Sequence, residues 1–141
     1  MKGTKNTVIF PDDDFRQIAA LLRTGDLCCA DFSELVGRAA EGDFVYADPP
    51  YTVQHDNNSF LKYNEHIFSL EDQIRLSECL RRARRRGANV LMSNADHPSI
   101  RKLYSGFERV FSVGRSSVLA ADSGKRGATT ELVVTNIGGT A

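Results

Sequence analysis

The stretch Gly42-Asp43-Phe44-Val45-Tyr46-Ala47-Asp48-Pro49-Pro50-Tyr51 decides how this chain is read. Phe44 to Ala47 form a short apolar run, the mark of a buried strand. Two successive prolines can continue neither a ladder nor a helix, so the strand must stop there. The stop sets the Asp48 carboxylate and the Pro49 carbonyl at the strand's carboxyl end, the side on which open α/β sheets bind ligands. Both groups accept hydrogen bonds from an exocyclic NH2, and Tyr51 offers a face on which a planar base can stack. Asp48, Pro49, Pro50 and Tyr51 are therefore the candidate catalytic set. The chemistry they suit is methylation of an amino nitrogen, which requires that nitrogen to be held in line with the methyl group and shielded from water. A base drawn from a duplex must first be flipped out, and an aromatic face offsets its lost stacking.

Outward from this stretch, single strands alternate with helices. Upstream, Asp12-Asp13-Asp14 cap a helix carrying Phe15, Ile18, Ala19, Leu21 and Leu22, which ends near Gly25. Leu27 to Ala30 read as a short buried strand, and Asp31 or Ser33 opens a helix through Ala40. Downstream, residues 52–67 are polar and aromatic without a clean period, a length typical of functional loops. Ser69-Leu70-Glu71-Asp72 is a capping box. Its helix places Leu70, Ile74, Ser77 and Leu80 on one face and ends at Gly87. Ala88 to Ser93 is a strand, Asp96 caps a helix to about Tyr104, and Phe107 to Val113 and Glu131 to Asn136 are the last two strands. Alternation predicts an α/β fold with a mostly parallel sheet, and the last pair, joined without a helix, predicts an antiparallel hairpin.

With 141 residues, 41% apolar and 26% charged, the chain fits one domain spanning 1–141, with loose ends at 1–7 and 137–141. Eighteen basic and eighteen acidic residues cancel, so any nucleic-acid surface must be local. Cys28, Cys29 and Cys79 make no CxxC pair, and His55, His66 and His97 are scattered, so neither a disulfide framework nor a metal site is indicated. No signal peptide or long apolar span is visible, which predicts a cytoplasmic protein without a membrane partner. Arg81-Arg82 and Arg84-Arg85-Arg86 crowd the end of the helix that begins at Leu70. There cations favour the helix dipole, a reading preferred over phosphate contact.

The stretch 42–51 resembles the catalytic motif of Dam-type (D12 class) N6-adenine DNA methyltransferases, and the resemblance continues in step from about residue 8 to 136. Phe60 and Tyr63 match an aromatic pair after the motif. Phe68, Asp72-Gln73 and Leu76 match a helix start, and Val90 to Asp96 match the next strand and its polar end. Arg115-Ser116, Arg126 and Glu131-Leu132 match a closing hairpin, while Phe10-Pro11 and Asp31-Phe32 fit the segment before the motif. One departure is Ala95, where the family commonly carries His. The resemblance implies transfer of a methyl group from S-adenosylmethionine to N6 of adenine in DNA. It implies substrate-binding roles for Phe60, Tyr63, Asn94, Arg115 and Arg126, and cofactor-binding roles for Asp31, Phe32 and Asp48. For Phe60 and Tyr63, loop packing is the competing reading from the residues alone.

Missing from this chain is the family's glycine-rich turn, on which the cofactor lies: none of the eleven glycines forms a Gly-x-Gly turn between a strand and a helix. The expected fold is thus a partial Rossmann-like methyltransferase sheet without its N-terminal cofactor-binding strands. In the family's sheet order two strands separate the one matching 27–30 from the one matching 44–47. Without them an edge is left open, and an open edge invites another chain. The implied partners are DNA and either a second polypeptide bearing the glycine-rich site or a homodimer. A non-catalytic remnant or a DNA- or protein-binding scaffold is the alternative reading.

Overall fold

The computed structural model describes residues 14–51, 68–116 and 128–138. They fall into two compact units, residues 1–30 and 31–141. The first holds helix α1, Phe15–Leu22, whose N-cap Asp14 accepts hydrogen bonds from the amides of Arg16 and Gln17. Phe15, Ile18, Leu21 and Leu22 form its apolar stripe, and all four are exposed. Leu27 to Ala30 do not form the expected strand: the segment is irregular, and Leu27, Cys28 and Cys29 are exposed. A short apolar run becomes a strand only when a neighbour supplies its hydrogen bonds, and none is present among the described residues.

The second unit is an α/β layer. Helix α2 (Phe32–Arg38) leads to β1 (Phe44–Ala47). After residues 52–67 come α3 (Leu70–Arg85), β2 (Asn89–Ala95), α4 (Pro98–Leu103), β3 (Arg109–Ser116) and β4 (Ala128–Thr135). The strand order is β1-β2-β4-β3. β1 and β2 are parallel, with Tyr46 opposite Leu91. β4 is antiparallel to both β2 and β3, pairing Val133 with Ser93 on one side and Phe111 on the other. The sheet is therefore mixed. Three strands run in one direction as expected, but the last strand of the hairpin inserts between β2 and β3 and makes two of the three ladders antiparallel. Alternation along the chain reports strand direction and cannot report this insertion.

Helix α3 positions the site. Its capping box is formed as expected: Ser69 Oγ accepts from the Asp72 amide, and Asp72 accepts from the Ser69 amide. Its end turns at Gly87, whose φ of +92° and closeness to Glu41 exclude a side chain. The buried face carries Gln73, Leu76, Ser77, Cys79, Leu80 and Ala83. Ser77 and Leu80 were expected there, whereas Leu70 and Ile74 are exposed. The inward face is rotated because Gln73 points into the unit, where it has polar work. Leu76, Leu80 and Ala83 join Val90, Met92, Leu132 and Val134 in one core.

The arginines at the end of α3 largely serve the fold. Arg81 donates to the Leu103 carbonyl, and Arg84 donates to the Gly106 carbonyl and pairs with Glu108. Arg86 clamps the carbonyls of Val36 and Ala39, both at 2.7 Å, at the end of α2. Arg82 reaches Cys79 Sγ and Glu78. These contacts give the cluster a structural role, between α3 and the backbone of neighbouring elements, that the helix-dipole reading did not include. The α4 cap is His97, followed by Pro98 at the first turn, one residue beyond the expected Asp96. Asp96 instead binds Arg101 at 2.6 Å.

Leu80 is fully buried, so Leu80→Ala should cost about 2–5 kcal/mol in urea unfolding, the usual range for such a core truncation. The Arg101 guanidinium, with the hydroxyls of Ser112 and Thr130, lowers the Asp96 carboxyl from 3.8 to about 2. A depressed folded pKa adds stability above the unfolded value, and that stability is lost as pH falls from about 3.8 toward 2. Unfolding measured across that window should show a steeper acid loss for the parent than for Asp96→Asn.

Candidate active site

β1 ends where the sequence requires, and Asp48, Pro49, Pro50 and Tyr51 follow in an irregular segment. Pro49 and Pro50 have no N–H, so between Asp48 and Tyr51 this segment has no amide through which to anchor itself. Side chains from other elements anchor it instead. Ser93 on β2 donates to Asp48 Oδ1 at 2.7 Å, and its hydroxyl lies 3.2 Å from Tyr46 Oη. Gln73 on α3 donates from Nε2 to the Pro50 carbonyl at 3.2 Å. The Tyr51 hydroxyl donates to Glu131 Oε1 on β4 at 2.8 Å, and its half-buried ring packs against the core. Three elements thus fix three residues of the motif.

The geometry of β1 accounts for the placement of Asp48. Val45 and Ala47 face the core, while Phe44 and Tyr46 lie on the other side, each 58% exposed. Asp48 follows Tyr46 by two positions, the spacing of residues on one face, and is exposed. Ser93 shares that region because Ala47 pairs with Met92.

Along β1 runs an open cleft of about 570 Å³. Phe32, Val36, Phe44, Tyr46, Asp48 and Phe68 are among its lining residues. Phe32 packs against Phe68 at 5.7 Å between ring centroids and beneath the Arg75 guanidinium at 4.4 Å. The cleft therefore joins two residues expected to bind the cofactor, Phe32 and Asp48. Asp31, the third, does not line it. Its carboxylate caps α2 through the Ser33 amide and pairs with Arg75 at 3.0 Å. Its hydrogen bonds to the Ser33 hydroxyl and amide, and the nearby Arg75, hold it below the ordinary carboxylate range.

The expected substrate residues divide differently. Asn94 is fully buried. It donates from Nδ2 to Gln73 Oε1 at 2.9 Å and accepts the Ala95 amide at 2.8 Å. In this structure the polar atoms of Asn94 are thus engaged with Gln73 and the Ala95 amide. Arg115 lies on β3 opposite Thr129. Phe60, Tyr63 and Arg126 lie outside the described residues.

The sequence reading of the site missed Gln73, Ser93 and Glu131. Gln73 lies four residues before Ser77 and seven before Leu80, so its helical spacing on their face was the available signal. Ser93 stands at the end of the strand beside Asp48, a position that register alone could have suggested. Glu131 is distant in sequence, and only the insertion of β4 brings it near Tyr51.

The chain matches the family described as D12 class N6 adenine-specific DNA methyltransferase over residues 1–117. It is 34% identical over 136 residues to the type II methyltransferase M1.LlaDCHI of Lactococcus lactis subsp. cremoris, covering 95% of this chain and 48% of that relative. It is 37% identical over 107 residues to the DNA N-6-adenine-methyltransferase of Escherichia phage P1, covering 74% and 14%. It is 31% identical over 134 residues to the type II methyltransferase M.MjaIII of Methanocaldococcus jannaschii, covering 94% and 46%. The chain thus spans less than half the length of each of these relatives. A match over residues 1–117 of 141 is most of the chain, and it includes the tethered Asp48–Tyr51 segment. This chain belongs to the D12 class of N6 adenine-specific DNA methyltransferases.

Proposed function

We propose that this chain forms the acceptor side of an N6-adenine DNA methyltransferase. The observation that carries this reading is the Asp48 carboxylate, held by Ser93 at the mouth of β1 and facing the cleft. Asp48 and the Pro49 carbonyl accept the two N–H bonds of an adenine amino group, which turns its lone pair toward the methyl donor. As the N6–CH3 bond forms and the sulfonium S–CH3 bond breaks, leaving a neutral thioether, positive charge develops on N6; the fixed Asp48 charge stabilises it, and the surplus N6 proton is then lost to solvent. The Tyr51 ring, tethered through Glu131, supplies a stacking surface for the flipped base. This intact acceptor geometry favours transfer over a purely scaffolding role.

S-adenosylmethionine supplies the methyl group when bound. The cleft suits its aromatic and cationic parts: Phe32 and Phe68 offer apolar ring faces, and Asp48 is negatively charged. For the amino-acid end the fit fails. Among the described residues no glycine stands between a strand end and a helix start, so the expected turn of backbone N–H groups has no counterpart.

The remainder of the donor seat belongs, in this proposal, to a separate segment carrying a Gly-x-Gly turn. That segment pairs with the free edge of β1, which has β2 as its one strand neighbour among the described residues. The exposed Phe44 and Tyr46 beside that edge become covered by the pairing. DNA is the substrate. Backbone phosphate contacts fall to residues such as Arg115 and Arg126, since Arg81, Arg84 and Arg86 are engaged with carbonyls of this chain.

The test is transfer of label from S-adenosylmethionine to unmethylated duplex DNA, with and without a polypeptide bearing the glycine-rich turn. Label on adenine that requires both polypeptides is expected. Asp48→Ala should lower the rate by about 10²–10³-fold, the scale for removing one preorganised charge-stabilising group. Its unfolding midpoint should stay near the parent's, because Asp48 is exposed. Tyr51→Ala should weaken binding of duplexes with a mismatched target adenine by about 1–3 kcal/mol. A folded parent that never labels adenine, with its complement present, sinks the reading.

A further inference from the structure

We propose that Gln73 is a positioning residue for methyl transfer, acting with Asn94 as a two-amide relay that fixes the Pro50 carbonyl. The inference rests on the methyl-transfer reading above. It begins from two carboxamides, Gln73 and Asn94, that are fully buried beside a largely apolar core. An enclosed amide is costly unless every polar atom is used. Here the atoms are used in sequence: the Ala95 amide donates to Asn94 Oδ1, Asn94 Nδ2 donates to Gln73 Oε1, and Gln73 Nε2 donates to the Pro50 carbonyl.

The order of donors gives the relay a direction. The Ala95 amide can only donate, so it selects the oxygen end of Asn94 and turns the Asn94 nitrogen toward Gln73. That nitrogen in turn selects the oxygen of Gln73, which leaves Nε2 facing Pro50. A carbonyl can only accept, so each amide flip is excluded by a neighbour. The relay links the end of β2, the first turns of α3 and the loop after β1. The capping box on Ser69 and Asp72 fixes the helix start immediately before Gln73.

Pro50 is where such an anchor has most effect. Neither Pro49 nor Pro50 has an N–H, so carbonyls are the backbone handles on this part of the motif. The Pro50 carbonyl belongs to the peptide plane that leads into Tyr51. Holding it sets where the Tyr51 ring begins, while Glu131 sets where its hydroxyl ends. On the other side, Ser93 holds Asp48, leaving the intervening Pro49 carbonyl suspended between two fixed points. Gln73 touches neither base nor donor and acts through the backbone it holds.

The experiment uses Gln73→Met and Gln73→Glu in the full chain, assayed with the polypeptide that carries the glycine-rich turn. Gln73→Met removes both relay bonds at similar length. Gln73→Glu keeps an acceptor for Asn94 and can donate to Pro50 only when protonated. Leu80→Ala is the control for lost stability alone. Both Gln73 variants should lower kcat per folded molecule by about tenfold or more, as expected when a reacting group is misplaced by a fraction of an ångström. KM for DNA should change little. Gln73→Glu should regain kcat as pH falls, a limb absent from the parent and from Leu80→Ala. In the isolated chain, proline labelled with ¹³C at the carbonyl should show a shift change at Pro50 in Gln73→Met. An unmoved Pro50 signal, or a kcat within twofold of the parent for both folded variants, overturns the relay. Absence of transfer by the complemented parent overturns the methyl-transfer reading and this role with it.

Discussion

Two consecutive prolines at the end of β1 are the constraint on which the site depends. They stop the strand where Asp48 reaches the open cleft, and they remove the amides through which a loop ordinarily anchors itself. A motif with no amide donor on its two central residues must be held at its carbonyls and side chains. Ser93, Gln73 and Glu131 do this from β2, α3 and β4. The rest of the fold brings these three residues to one end of the sheet. Parallel pairing of β1 with β2 places Ser93 beside Asp48, α3 delivers Gln73 beneath Pro50, and the inserted β4 carries Glu131 to Tyr51.

Much of this was legible where the signal is local. The Pro-Pro stop, the capping box at Ser69 and the strands around Val45 and Val90 all rest on chemistry within a few residues, and all are found. The inward face of α3 was less legible. Apolar spacing selects Leu70 and Ile74, but Gln73 has partners in the interior and turns the helix so that those two face outward. Leu27 to Ala30 show the opposite limit: a suitable composition does not make a strand when no described neighbour supplies a ladder. The insertion of β4 between β2 and β3 is a choice between non-local pairings, which neither period nor turn chemistry encodes.

Charge illustrates how composition can mislead about function. Five arginines crowded at residues 81–86 look like a nucleic-acid patch, yet three of them satisfy backbone carbonyls at the ends of neighbouring helices and turns. Carbonyls at helix ends are left short of partners within their own helix. The guanidinium fork suits such a task, since it can reach two acceptors at once, as Arg86 does with Val36 and Ala39. With no net charge to steer DNA over long distances, the reading of DNA as substrate rests on the site and the family and not on the overall field.

The division within the site follows the same physical logic. The tethers from Ser93, Gln73 and Glu131 to Asp48, Pro50 and Tyr51 all lie within residues 31–141, and under the proposed function they organise the acceptor side of the reaction. The cleft beside it is open along β1, where the edge lacks a second strand among the described residues. Preorganisation is valuable where charge develops during reaction, because dipoles already in place need not reorient. The donor needs a seat that brings it within reach of that fixed acceptor. In the proposed arrangement, an acceptor site built on rigid elements faces the β1 edge, a donor-bearing segment completes that edge by pairing, and one ladder of backbone hydrogen bonds sets the alignment of the two.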